Sequence, residues 1–233
     1  MTTAGLDRPA PGSVPPPAPA AARPGRVAAA GWRLTRLFLT SRLVPIAVVL
    51  LAALGAVLWS SLHWHWNIAG GAAARNFIAV TIESGAAAVI TVATYGPFGE
   101  SERVAGRWLP WLRLGTAVLL TATAFGALAA GAAAGSLPGG DLALLRNIGG
   151  LAGIGLLAAI LVGGSFAWTG PMAYLLITEG AFAHRSTTPW VWPTRLPHDR
   201  GGAICAGLVL AVGLVLFTVR GPRESGREPG PAN

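Results

Sequence analysis

The sequence predicts an all-helical polytopic membrane protein: a transmembrane bundle of about six spans, with an N-terminal interfacial helix. Three observations carry that prediction. Charged side chains make up 11 % of the 233 residues, where a soluble domain carries about 25 %. Apolar residues make up 53 % of the chain and its mean hydropathy is +0.57. Finally, the apolar residues gather in runs near the roughly 20 residues that cross a bilayer as helix.

Residues 1–27 are dominated by Pro, Ala, Gly and Ser, with Asp7, Arg8, Arg23 and Arg26 as their only charges. Such a stretch has little apolar surface to bury, so a disordered cytoplasmic tail is expected. It is too rich in proline for the n-region of a signal peptide. In residues 28–43, Trp32, Leu34, Leu37, Phe38 and Leu39 interleave with Arg33, Arg36 and Arg42. Helical spacing puts Leu34, Leu37 and Phe38 on one side and the arginines on another. That pattern suits a helix lying at the headgroups with its arginines toward lipid phosphate; the alternative is the basic start of the first span.

A transmembrane domain is expected over 44–220, with a disordered C-terminal tail over 221–233. Its six apolar runs are read near Val44–Leu62, Asn76–Tyr95, Gly115–Ala134, Ile148–Phe166, Trp168–Phe182 and Ala203–Val219. Pro45 falls in a first helical turn, where its missing N–H costs least. Trp59, Trp64, Trp66, Trp108, Trp111, Trp190 and Trp192 fall near expected ends, as interfacial aromatics do. Lipid gives helices no hydrophobic reason to associate, so small residues that let backbones approach become the packing signal. Gly149-x-x-x-Gly153 and the Ala122/Gly126/Ala130 stripe are the candidates.

Six spans put both termini on one side. Twelve arginines then lie on that side and five on the other (Arg75, Arg146, Arg185, Arg195 and Arg200). The positive-inside rule therefore makes the N-terminal side cytoplasmic, in a multi-pass protein of the cell membrane. The fifth run is short, contains Pro171 and follows the tight link Gly163-Gly164-Ser165. A partly re-entrant fourth–fifth hairpin is the alternative topology.

The formal net charge is +8 and all 17 basic residues are arginine. Because these arginines flank apolar runs instead of forming one patch, the expected anionic partner is membrane lipid and not nucleic acid. The absence of lysine excludes a Walker A loop, which ends in Gly-Lys-Ser/Thr. The single cysteine, Cys205, makes no intrachain disulfide.

Between the second and third runs lies the one interior segment where acids, bases and aromatics crowd together. Glu100 and Arg103 are three apart, so one helical turn would pair them. Val104 and Trp108 share a face, and Pro110 reads as the stop. A short amphipathic helix of this kind is able to press into a groove on a soluble partner; the alternative is a solvated loop that keeps spans apart. The run Phe98-Gly99-Glu100-x-Glu102-Arg103, then Ala105-Gly106-Arg107 and Trp108-Leu109-Pro110-x-Leu112-Arg113, resembles the first cytoplasmic loop of actinobacterial ABC transporter permease-like membrane proteins, related to the ABC-2 type. So do Arg146-Asn147-Ile148-Gly149-Gly150-Leu151 at the fourth span and Trp190-x-Trp192-Pro193 before the last, and the likeness covers roughly residues 30–220. It implies a permease subunit without a nucleotide site of its own. The loop at 98–113 would couple it, through Glu100, Glu102, Arg103 and Arg107, to a separate ATPase that holds ATP and magnesium. It also implies two membrane subunits, a homodimer or a mixed pair.

Glu83 and Glu179 are the acids within apolar runs. A charge at bilayer depth is costly and faces the bundle interior or water, so Glu83 is the candidate for a proton or cation path. Against that stands a merely hydrogen-bonded Glu83, with Glu179 close enough to an interface to reach water. His63, His65, His184 and His198 all fall on the outer side and are weak candidates for zinc or copper. His63-Trp64-His65-Trp66 reads equally as interfacial residues, and no metal is expected. Gly-x-Ser-x-Gly and His-Glu-x-x-His are missing from the sequence, so no enzyme chemistry is expected. The expected function is an ABC-type exporter permease; the alternatives are a non-transporting membrane scaffold and a proton-coupled carrier built on Glu83.

Overall fold

The computed structural model of the chain describes residues 43–63, 71–95, 109–133, 135, 137, 139–184 and 188–222. The expected tail and interfacial helix, the loop residues Glu100, Glu102, Arg103 and Arg107, His65 and the last eleven residues lie outside the described residues. All regular structure among the described residues is helical. The helices are α1 (Val44–His63), α2 (Gly71–Thr94), α3 (Leu109–Ala132), α4 (Gly140–Leu161), α5 (Thr169–Ala183) and α6 (Arg200–Arg220). Short 3-10 turns occupy Gly164–Phe166 and Trp192–Thr194.

Five of these helices, all but α5, are long and apolar enough to cross a membrane. The chain is thus compatible with a multi-pass membrane protein. α4 is the most enclosed of the five, and α1 and α6 are the most exposed. Large apolar side chains are exposed on several helices: Val49, Leu176, Ile204, Leu208 and Val215 all face outward. In water such a surface would aggregate, whereas lipid tails solvate it.

The directions of the helices follow from which residues meet. Gly55 of α1 lies against Ala127 and Gly131 of α3, and Leu62 lies against Gly135 just beyond α3, so α1 and α3 run parallel. Gly150 meets Ala206 and Gly153 meets Leu210, so α4 and α6 run parallel. Thr91 of α2 packs on Gly155 of α4, and Tyr95 covers Gly164 beyond it. α5 runs antiparallel to α4, with Gly170 against Ala158 and Ile154. Its 15 residues span about 22 Å at 1.5 Å per residue, which is shorter than a hydrocarbon core of about 30 Å. The short length comes from where α5 starts. Gly163, at φ 103, breaks α4 in a conformation that favours glycine, and the following 3-10 turn folds inward under Tyr95. One end of the bundle therefore gathers the start of α1, the junction between Tyr95 and Leu109, the α4–α5 turn and the end of α6. The other end gathers the α3–α4 and α5–α6 links.

Two of the small-residue crossings are backbone-to-backbone. A Cβ on Gly131 would fall on the carbonyl oxygen of Gly55, and one on Gly153 would sit 2.7 Å from the Leu210 nitrogen. The Gly149-x-x-x-Gly153 pair therefore does face a neighbouring helix. The Ala122/Gly126/Ala130 stripe does not: all three are exposed, and a Cβ on Gly126 meets nothing within 4 Å. On α3 the buried stripe is Leu120, Ala124, Leu128 and Gly131, where larger apolar side chains alternate with the small ones.

Three boundaries differ from the sequence reading. Pro110 does not stop a helix; it is the second residue of α3, in the first turn where its missing N–H has no intrahelical partner to lose. α4 begins at Gly140 and not at Ile148, which brings Arg146 and Asn147 inside the helix. It ends at Leu161, so Phe166 belongs to the turn. Trp192 is not an interfacial anchor but is 2 % exposed. Trp59 and Trp111 are exposed near helix ends, as expected.

Candidate functional site

The site is built where α2, α4 and the α5–α6 link meet, toward the end of the bundle where α2 and α4 begin. Glu83 lies three turns into α2 and is 3 % exposed. Its Oε2 accepts from Asn147 Nδ2 of α4 at 2.9 Å. The Asn147 Oδ1 in turn accepts from Arg146 Nε at a longer 3.4 Å. An amide held from both sides this way has a defined orientation, because its oxygen only accepts and its nitrogen only donates.

Arg146 is 7 % exposed, and its guanidinium turns toward the link. It donates to the backbone carbonyls of Leu196 (2.9 Å) and Arg195 (3.3 Å). Carbonyls of irregular backbone beside a membrane helix need such donors, since lipid supplies none. The sequence reading counted Arg146 among the loop arginines. Its burial within α4 removes it from that count.

The link itself is anchored by two aromatics. The Trp192 ring stacks on Tyr174 with centroids 4.7 Å apart, and it reaches Gly150 and Ala206, where a side chain on residue 150 would collide with the indole. The Tyr174 hydroxyl donates to the Trp190 carbonyl. The Trp192 indole N–H finds no acceptor among the described residues, so packing alone holds the ring. At the end of the link Asp199 caps α6 by accepting from the Gly202 amide at 2.7 Å. It also takes two bonds from Arg195, at 2.9 and 3.1 Å. Those bonds, Arg195 first and the Gly202 amide second, hold the Asp199 carboxyl below the usual carboxylate range.

Together these groups surround a cleft of about 200 Å³. Glu83, Asn147 and Arg146 form its polar floor, Asn76 and Ala79 of α2 one side, and residues 193–197 the opposite wall. Chemically it offers one carboxylate with a single side-chain hydrogen bond among the described residues, a fixed amide and a guanidinium already committed to backbone.

The other sequence candidates do not join it. Glu179 is half-buried near the end of α5. His63 stacks on Trp59 at 4.7 Å, while His184 and His198 are exposed at separate places. No group of three or more His, Cys, Asp or Glu close enough to hold a metal occurs among the described residues. Asn147 and Tyr174 were missed as site residues. Asn147 was in plain view within Arg146-Asn147-Ile148-Gly149-Gly150-Leu151, but a span read from Ile148 left it in a loop. Compared with protein-family models, with curated proteins and with solved structures, the chain matches none.

Proposed function

We propose that the chain is the membrane-spanning permease subunit of an ABC-type exporter, crossing the cell membrane six times with both termini in the cytoplasm. A separate ATPase, holding ATP and magnesium, docks on the loop at 98–113 through Glu100, Glu102, Arg103 and Arg107, and two membrane subunits form the pathway. The observation that carries this reading is the separation of two features along continuous helices. Tyr95 and Leu109, which flank the loop, lie at one end of the bundle, while the polar cleft lies toward the other. α2 runs unbroken from that junction to Glu83, twelve residues or about 18 Å away, and α4 runs beside it. A push on the loop is thereby delivered to the cleft by stiff elements, which suits nucleotide-driven rocking between inward and outward access.

A second reading is favoured by the Glu83–Asn147 bond: a proton-coupled carrier in which Glu83, lining the cleft, takes and releases the proton. The two readings separate on substitution. Replacing Glu102 and Arg103 together by Ala abolishes export under the first reading and leaves it under the second; Glu83→Gln does the reverse. The first experiment is purification of the tagged protein from its native host in mild detergent. A stoichiometric ATPase that is lost with the Glu102/Arg103 double substitution supports the permease. Recovery of the chain alone, under conditions that keep other transporter complexes together, points instead to a non-transporting membrane scaffold.

A further inference from the structure

We propose that residues 193–197 gate the cleft above Glu83, and that Asn147 and Arg146 couple the seating of this gate to the charge on Glu83. The segment hangs between two fixed points. Before it, Trp192 is wedged among Tyr174, Gly150 and Ala206. After it, Asp199 is bound to Arg195 and to the start of α6. Between them lie five residues that begin and end in proline, Pro193 to Pro197, with Leu196 79 % exposed to the surroundings. Pro193 is buried at the Trp192 end, and the segment is tied to α4 by the Arg146 guanidinium, through the carbonyls of Arg195 and Leu196.

The same guanidinium bonds Asn147, and Asn147 bonds Glu83. An ionised Glu83 needs the amide N–H, keeps the amide oxygen turned to Arg146 and attracts the guanidinium in a medium that screens charge poorly. The gate is then seated. A protonated Glu83 is itself a donor. It satisfies the amide oxygen, the amide turns, and Arg146 loses both an acceptor and the opposing charge. The hold on the two carbonyls weakens and residues 193–197 lift. The charged and titratable groups on the elements around this relay are Arg75 on α2, Asp141 and Arg146 on α4, Tyr174 and Glu179 on α5, Arg195, His198 and Asp199 on the link, and Arg200, Cys205 and Arg220 on α6. α1 and α3 bring only His63 and Arg113, at their ends. The device rests on the second reading's premise that Glu83 takes and releases a proton in the cleft, and it makes no use of the loop at 98–113.

The test is the rate of thiol labelling in lipid nanodiscs, with Cys205→Ala as background and a membrane-impermeant maleimide as probe. Ala79→Cys reports on the cleft wall, where Ala79 is 5 % exposed. His184→Cys, at an exposed position, corrects for the reactivity of the thiol itself. The corrected Ala79→Cys rate is expected to rise roughly tenfold between about pH 8.5 and about pH 5.5, within the usual range of coupling between sites. Adding Glu83→Gln should give the fast rate at both pH values. Ala124→Cys, buried in the core with α1, should stay unlabelled throughout. A corrected rate that ignores pH in the otherwise native chain overturns the gate, and that arm requires no change at Glu83. PH dependence that survives Glu83→Gln overturns the coupling, and labelling at Ala124→Cys shows general loosening and overturns both.

Discussion

Asn147 of α4 donates to Glu83 of α2 at 2.9 Å, joining the two helices through polar groups that are each less than 5 % exposed. A buried acceptor deprived of its donor loses more than one hydrogen bond, since no water replaces it. Asn147→Leu is therefore expected to destabilise the bundle by about 2–3 kcal/mol, whereas Glu83→Gln, whose own N–H donates to the turned Asn147 amide oxygen, keeps one hydrogen bond and costs well under half of that. Unfolding of the two variants in mixed micelles measures the difference. Equal losses would mean that the amide is held by Arg146 alone.

Gly153 and Gly126 make a matched pair of opposite prediction. Gly153→Ala places a methyl 2.7 Å from the Leu210 backbone, where no side-chain rotation relieves the contact. The helices must part, at a cost of about 1–3 kcal/mol as for other overpacked cores. Gly126→Ala meets open space and removes a helix-interior glycine, so it should be neutral or stabilising by up to about 1 kcal/mol. Thermal unfolding in detergent ranks the two. A loss from Gly126→Ala would reveal a surface that a second copy covers.

The Tyr174–Trp192 stack separates shape from hydrogen bonding in the same way. Tyr174→Phe keeps the ring beside Trp192 and loses the hydroxyl bond to the Trp190 carbonyl, worth about 1 kcal/mol. Trp192→Ala empties a site closed by Gly150, Tyr174 and Ala206 and should cost about 3–5 kcal/mol. It should also free the link: proteolysis between 188 and 199 should become fast in Trp192→Ala and stay slow in Tyr174→Phe.

Helix class and the place of most runs were legible in the sequence because lipid-facing helices are apolar all round and nearly as long as the bilayer is thick. Val44–His63 and Arg200–Arg220 lie within three residues of their reading at each end for that reason. The site was half legible. Glu83 stood out because an acid in an apolar run is rare, yet its partner did not, since pairing Asn147 with a residue 64 positions away depends on how α2 and α4 cross. The start of α4 was misplaced because Gly140 to Asn147 carries Asp141, Arg146 and Asn147, and a hydropathy reading treats such residues as loop. Pro110 misled through its reputation as a breaker, although a first helical turn tolerates it. Trp192 read as an interfacial anchor because nothing local distinguishes a tryptophan at a headgroup from one turned back into the bundle.

Asp199 supplies a pH prediction whose sign is fixed by its partners. Arg195 and the Gly202 amide hold its carboxyl below the usual value, near about 3.9 for an unperturbed Asp. A depressed carboxylate contributes stability that is complete above the ordinary value and disappears as pH falls through the lowered one. Protection of the Gly202 amide against hydrogen exchange, corrected for the intrinsic rate, should therefore stay constant down to about pH 4 and fall below it. Arg195→Gln removes the larger cause and should move that fall to higher pH. Asp199→Asn keeps an oxygen able to cap the helix but carries no charge to titrate, so protection should persist through the acid range. If Arg195→Gln leaves the acid midpoint where it was, the helix cap alone sets the carboxyl's acidity, and the paired bonds from Arg195 do no more than shape the link.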